Sequence, residues 1–330
     1  MNPVKVAILT SQTRVEKYYD LSTLPESWEL IFFPADFTDE EVLCRAGDAD
    51  FIFADAIAPV SRTLIEGMPN LKMIHSEGVA YNRYDLEAAR ERGIYVCNNA
   101  AANSASVAEH TVMLMLALSR RLMEGDQMVR QGRQIQTKTR YILEGIPELY
   151  ACHVGLVGFG AIGQAVARLL RAFGSRVSYC SAHRKPELEE EMGVQWLERE
   201  ALASQCDIVS LHLPVTPQTT HLVDAQFLAQ MKPSALLINT ARGEIVDQQA
   251  LAEALEEGRI AGAGLDTLSP EPVQLDNPLL NLSPQASSKV IFSPHVAGTT
   301  RSVFYSIHRF VWENFQKCAR GERPDNIVNQ

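Results

Sequence analysis

The stretch Val154-Gly155-Leu156-Val157-Gly158-Phe159-Gly160-Ala161-Ile162-Gly163 constrains this chain more than any other. A short apolar strand runs straight into Gly-x-Gly-x-x-Gly. A helix follows, from Gln164 to about Phe173. Strand, glycine turn and helix in that order suit a dinucleotide pyrophosphate. Gly158 permits the tight turn, Gly160 lets the backbone approach the phosphates, and Gly163 lets helix and strand pack closely. Phe159, Ala161 and Ile162 complete the loop. Unpaired N–H groups at the helix start then face the anion, helped by the helix dipole. The glycines alone would also suit a plain turn; the flanking strand and helix favour the nucleotide.

The next strand, Arg176–Cys180, bears on which dinucleotide. An NAD site places an Asp or Glu about 20 residues past the glycines, on the ribose hydroxyls. Ser181 stands there instead, followed by Ala182, His183, Arg184 and Lys185. A 2′-phosphate suits three potentially cationic side chains, and a carboxylate would repel it. The sequence therefore favours NADP(H), with NAD(H) the alternative. The competing reading of His183, Arg184 and Lys185 is a solvated turn.

At 330 residues the chain has room for two domains with full cores. A net charge of −10 argues against nucleic acid as a main partner. The longest apolar run, Val112 to Leu118, is far short of the roughly 20 residues that span a bilayer. The first residues lead directly into a strand, without the apolar region of a secretory signal. Six cysteines lie scattered without Cys-x-x-Cys spacing, which suits idle thiols in a reducing cytoplasm and no metal site.

Strands and helices alternate from the start. Val4–Leu9, Leu30–Phe33, Phe51–Ala54, Lys72–His75 and Tyr95–Asn98 read as strands. Asp39–Ala46, Ser61–Gly67 and Asp85–Arg92 read as helices. Such alternation implies a parallel sheet covered by helices. A long helix then starts at 103–109, where Ser106 and Glu109 have capping-box spacing and Asn103 or Ser104 is an alternative cap. It runs to about Arg130 and is apolar around most of its circumference, as at a domain junction or subunit interface. Residues 131–150 read as a polar, irregular excursion. A second alternating series follows, with further strands at Ile208–Leu211, Ala235–Asn239, Gly262–Leu265 and Val290–Phe292. A helix over 247–257 stops at Gly258. Residues 276–288 read as loop, and a last helix covers about 301–320.

Sheets of this kind bind ligands at the carboxyl ends of their strands. Three such ends in the second series carry polar residues. Arg242 follows a buried strand, where a guanidinium can clamp a carboxylate with two bonds; the alternative is a structural ion pair. Asp266 ends another strand, with Glu271 in the proline-rich loop beyond it. His295 follows a third, between Pro294 and Gly298. A carboxylate paired with an imidazole holds its tautomer and favours its protonated form. Such a ring exchanges a proton with a ketone or alcohol near neutral pH. The other histidines read as packing or surface residues, apart from His183.

Taken together these segments resemble the D-isomer-specific 2-hydroxyacid dehydrogenases. The likeness runs from about Phe51 to Trp312 through ordered blocks: 78–89, 103–109, 158–163, 210–214, 231–233, 239–247, Asp266, Glu271-Pro272 and 293–298. It implies an α/β fold of two Rossmann/flavodoxin-like parallel-sheet domains. A cofactor domain, 103–298, is inserted into a substrate domain made of 1–102 and 299–330, with the active site in the cleft. It implies Arg242, Glu271 and His295 as the catalytic set. Arg242 binds the substrate carboxylate, His295 is the acid/base and Glu271 is its partner. Asp266, with Thr240 and Ala241, holds the nicotinamide amide; Leu213 and Pro214 pass along the cofactor. Backbone N–H groups near Gly78 and Val79 hold the substrate carboxylate. A homodimer through 103–298 is implied as well. The chain departs from the family pattern at 78–82, where Ala80 and Asn82 replace Gly and Asp. Its cofactor loop is closest to NADP-using glyoxylate and hydroxypyruvate reductases.

The expectation is an NAD(P)H-dependent reductase of a small 2-oxoacid, glyoxylate or hydroxypyruvate first, giving the D-2-hydroxyacid in the cytoplasm without nucleic acid or membrane. Two alternatives stand beside it: NAD-dependent oxidation of phosphoglycerate, and a cofactor-sensing binding protein on the same fold.

Overall fold

A computed structural model describes residues 3–330. The chain forms two compact units, one reaching to Ala102 and resuming at Thr300–Gln330, the other Asn103–Thr299.

In the first unit, Val4–Leu9 (β1), Trp28–Phe32 (β2), Phe51–Ala54 (β3), Met73–Ser76 (β4) and Tyr95–Cys97 (β5) form a parallel sheet ordered β2-β1-β3-β4-β5. β3 and β4 are buried on both faces; β3 is apolar throughout, as such a strand requires, and β4 ends in the buried His75 and Ser76. Helices Gln12–Tyr18 (α1), Asp39–Ala46 (α2), Arg62–Gly67 (α3) and Leu86–Glu91 (α4) start where Ser11, Thr38, Ser61 and Asp85 cap them. One face of the sheet packs Ile52 and Ile74 with Val42, Leu64 and Ala88. The other packs Phe51 and Phe53 with Trp312 and Phe315 of the C-terminal helix Arg301–Ala319.

The second unit opens with three helices, Ser104–Ser119 (α5), Leu122–Arg130 (α6) and Gln134–Glu144 (α7). Its strands are His153–Val157 (β6), Arg176–Cys180 (β7), Gln195–Trp196 (β8), Ile208–Leu211 (β9), Leu236–Asn239 (β10), Gly262–Leu265 (β11) and Val290–Phe292 (β12). They form a parallel sheet ordered β12-β11-β10-β9-β6-β7-β8. Helices Ala161–Phe173 (α8), Pro186–Met192 (α9), Arg199–Gln205 (α10), Ala225–Gln230 (α11), Gln248–Glu256 (α12) and Pro284–Ser287 (α13) connect them. The order reverses at β6, between β7 and β9, so a crevice opens at its carboxyl end.

Four expectations need correction. The long helix is two, because Arg121 takes a left-handed backbone (φ 49°) and α6 leaves the line of α5. The segment expected to be irregular contains α7. Only Thr137 of α7 is buried, and its apolar Ile135, Ile142 and Leu143 are exposed. It is tied to α6 by Arg140–Glu124 and Arg121–Glu144 ion pairs and by Tyr141, whose hydroxyl donates to Glu124 over 2.9 Å. Residues 276–288 are not all loop. Asn277 and Ser283 cap a 3-10 turn, Pro278–Leu280, and α13, each with proline at its first position. At the start of α5 the capping position is Asn103, and Ser106 and Glu109 lie inside the helix.

Candidate active site

The glycine loop leaves β6 at the point where the strand order reverses. Gly158 has φ 98°, and a Cβ there would lie 2.2 Å from the His212 carbonyl. A Cβ on Gly163 would lie 2.4 Å from the Gly158 carbonyl. Both glycines are therefore required by packing. Gly160 is different, because a Cβ there would meet no atom within 4 Å. Helix α8 starts after Gly160 without a side-chain cap. Its first N–H groups, including those of Ala161 and Ile162, thus face a cradle fit for phosphate oxygens. Phe159 turns inward: its ring is buried and stacked on Tyr179, with centroids 4.1 Å apart.

At the end of β7 no carboxylate stands on the ribose position, as the sequence indicates. Ser181 Oγ donates to the His183 carbonyl over 2.5 Å, and His183 is exposed. The other two cations already have partners. Arg184 grips Glu189 with two bonds of 2.9 and 2.8 Å, and Lys185 Nζ donates to the Phe159 carbonyl over 2.9 Å. Beyond β9, Leu213 is half-buried and Pro214 exposed, beside the His212 carbonyl that presses on Gly158.

Arg242 sits on a turn fixed by Asn239. That side chain accepts from the Ala241 N–H (3.0 Å) and donates to the Arg242 carbonyl (2.9 Å). Thr240 is tied to Thr111 of α5 through their hydroxyls, 2.9 Å apart. A Cβ on Gly243 would lie 2.3 Å from the Leu268 carbonyl carbon, so glycine lets this turn close on the segment that leads to Glu271. Arg242 Nη1 donates to the Ala241 carbonyl over 2.7 Å.

His295 Nδ1 lies 2.8 Å from both carboxylate oxygens of Glu271. Their side chains are 37% and 57% exposed. The carboxylate holds the proton on Nδ1 and leaves Nε2 to exchange one with a ligand. Asp266, predicted to hold a cofactor amide, is buried. It accepts from Ser293 Oγ (2.5 Å) and from the N–H groups of Val296 (3.0 Å) and Ala297 (2.9 Å). Its side chain thus organises the turn that carries His295. His110 joins this network through Ser293, 2.8 Å away. Sequence reading leaves His110 among the packing histidines, since 183 residues separate the two partners and no spacing rule links them.

In the first unit, the Gly78 N–H donates to Ser76 Oγ over 3.2 Å. The Val79 carbonyl accepts from Asn98 Nδ2 (2.7 Å). Close by, a charged set that sequence reading missed gathers at the ends of β1, β3 and β4. Arg14 pairs with Asp55 and, over 2.6 Å, with Glu77. Glu77 also accepts from Thr10 (2.6 Å) and meets His308 Nε2 (2.9 Å).

Residues 112–297 match the family described as D-isomer specific 2-hydroxyacid dehydrogenase, NAD binding domain. A glyoxylate reductase of Korarchaeum cryptofilum is 36% identical over 94% of this chain and 92% of its own. The structure of D-lactate dehydrogenase with NAD+ from Lactobacillus jensenii superposes with a TM-score of 0.83 at 26% identity, covering 99% of this chain and 100% of that one. An acyclic imino acid reductase in complex with NADPH and D-arginine gives 0.80 at 26% identity, covering 98% and 100%. The chain belongs to the D-isomer-specific 2-hydroxyacid dehydrogenase family and is an oxidoreductase that uses a nicotinamide cofactor.

Proposed function

We propose that this protein reduces a small 2-oxoacid to the D-2-hydroxyacid, glyoxylate or hydroxypyruvate first, with NADPH preferred. The observation that carries the reading is the His295–Glu271 pair, exposed at a strand end in the same unit as Arg242. The glyoxylate reductase similarity supports the substrate class.

The residues divide the work as follows. Gly158, Gly160, Gly163 and the start of α8 hold the pyrophosphate. When bound, the reduced nicotinamide supplies a hydride to the keto carbon. Arg242 turns from the Ala241 carbonyl to the substrate carboxylate and polarises the keto group. His295 gives its Nε2 proton to the keto oxygen, and Glu271 stabilises the imidazolium and fixes the ring. Preference for NADPH rests on the missing acid after β7 and on Ser181, His183, Arg184 and Lys185. Arg184 must then exchange Glu189 for the 2′-phosphate.

We infer a homodimer through the second unit. Met113 and Leu122 are 49% and 59% exposed and flank a groove with Leu116, Leu169 and Phe173, an apolar surface that suits a second copy.

The test is oxidation of NADPH and NADH with glyoxylate, hydroxypyruvate, pyruvate and a branched 2-oxoacid, with chiral analysis of the product where it has a stereocentre. Turnover with NADPH on a small oxoacid, giving the D product from hydroxypyruvate, is expected. A preference for NADH overturns the cofactor assignment alone. No turnover on any of them overturns the substrate assignment.

A further inference from the structure

We propose that His110 and Ser293 are positioning residues for this reaction, acting as one relay on Asp266 and through it on His295. The proposal rests on the reading of His295 as the proton donor.

The directions of the bonds follow from proton counting. Ser293 has one hydroxyl proton. At 2.5 Å from Asp266 Oδ1 it goes to the carboxylate, which accepts from two backbone N–H groups as well and has no proton to give. The contact of 2.8 Å between Ser293 Oγ and His110 Nε2 then has the ring as donor. His110 therefore carries its proton on Nε2, which also lies 3.5 Å from Asp266 Oδ1. The chain runs from the His110 N–H to the Ser293 hydroxyl to the Asp266 carboxylate.

Asp266 in turn holds the catalytic turn by several bonds. Its carboxylate takes the Val296 and Ala297 N–H groups, and its carbonyl takes the His295 N–H over 2.8 Å. These bonds keep His295 at φ 53°, a left-handed backbone uncommon for a side chain of this size. The far end of the turn rests on the start of α5, where a Cβ on Gly298 would lie 2.6 Å from Asn103 Nδ2.

The neighbouring residue on α5 does the same for the other turn. Thr111 gives its hydroxyl proton to the Val107 carbonyl (2.7 Å), so it accepts from Thr240 Oγ1 (2.9 Å). Two consecutive residues of one helix thus register the turn bearing His295 and the turn bearing Arg242. Neither His110 nor Ser293 has to touch substrate to affect the rate.

The test compares wild type with His110→Leu, His110→Gln, Ser293→Ala and the double variant His110→Leu/Ser293→Ala, in NADPH-dependent reduction of a 2-oxoacid. Loss of a bond to a charged group predicts a fall in kcat of about tenfold for His110→Leu and Ser293→Ala, with KM for the oxoacid within about twofold. Glutamine keeps an N–H where Nε2 stands, so His110→Gln should recover most of kcat. The double variant should be no slower than Ser293→Ala, because the relay is already cut. Histidine-ring NMR gives a second readout that needs no turnover. The His295 Nδ1 proton on Glu271 should broaden or shift in His110→Leu and Ser293→Ala, and persist in His110→Gln. Wild-type kcat in His110→Leu, or equal losses in the leucine and glutamine variants, overturns the relay. An inactive wild type whose His295 signal still responds would overturn the functional reading and leave the relay standing.

Discussion

The two sheets carry the same kinds of side chain at their carboxyl ends, and they use them in opposite ways. In the first unit, Arg14, Glu77 and His308 are bound to one another. The carboxylate of Glu77 is 6% exposed and the ring of His308 is fully buried. In the second, Arg242, Glu271 and His295 stand at the surface of their unit, and the His295–Glu271 pair is open to solvent. An arginine, an acid and a histidine at strand ends do not by themselves make a catalyst. A set drawn together around a buried carboxylate and a buried ring holds a fold together, whereas a set whose histidine keeps one nitrogen accessible can pass a proton to a ligand.

The comparison can be broken by substitution. Glu77→Ala leaves the His308 ring without its carboxylate partner and the Arg14 guanidinium on Asp55 and Thr10. It should cost about 1–3 kcal/mol in urea unfolding, as stripping a buried polar ring of its hydrogen-bond partner does. Glu271→Ala should leave the unfolding midpoint nearly unchanged and lower kcat. If Glu77→Ala is as stable as wild type, the two sets do not differ as argued.

Acid sharpens the same contrast. His75, in β4, donates through Nδ1 to the Ser76 carbonyl (2.9 Å) and accepts at Nε2 from Asn314 (3.0 Å). Burial holds its pKa down to about 4, and that of His212, beside the glycine loop, down to about 3. Both rings stay neutral in the folded chain while the unfolded chain takes up protons below the ordinary value of 6.5. Their contribution is therefore complete above about pH 6.5 and is lost as the pH falls toward the folded values. By pH 5 each should have lost on the order of 2 kcal/mol. Urea midpoints measured from pH 7 to pH 5 should fall accordingly; a flat profile would contradict the burial of both rings.

The smallest effect concerns the cofactor loop. Glu189→Gln releases Arg184 from its fork and should raise the ratio of kcat/KM for NADPH over NADH about fivefold, the scale of one exposed ion pair. Arg184→Ala should lower that ratio. An unchanged ratio in both would take Arg184 out of cofactor selection.

Legibility in the sequence follows the same division. The glycine loop was readable because Gly158 and Gly163 answer to backbone clashes that no other residue survives. The strand ends of Arg242, Asp266 and His295 were readable because each follows an apolar run bounded by turn residues. The Arg14–Glu77–His308 set was not, since its members come from positions 63 to 231 residues apart and only folding brings them together. Helix α7 was not, since its apolar residues stay exposed and ion pairs attach it to α6. The cations after β7 were legible as residues, but the Glu189 fork on Arg184 was not.

The most direct test of the contrast is the rate of 2-oxoacid reduction by His295→Ala beside His308→Ala. Removing the general acid should lower kcat roughly 10²–10⁴-fold in His295→Ala and leave its unfolding midpoint unchanged. His308→Ala should lose stability and keep kcat within a small factor. Near-full activity in His295→Ala, or a loss of the same size in a folded His308→Ala, would contradict the assignment of the chemistry to the exposed set.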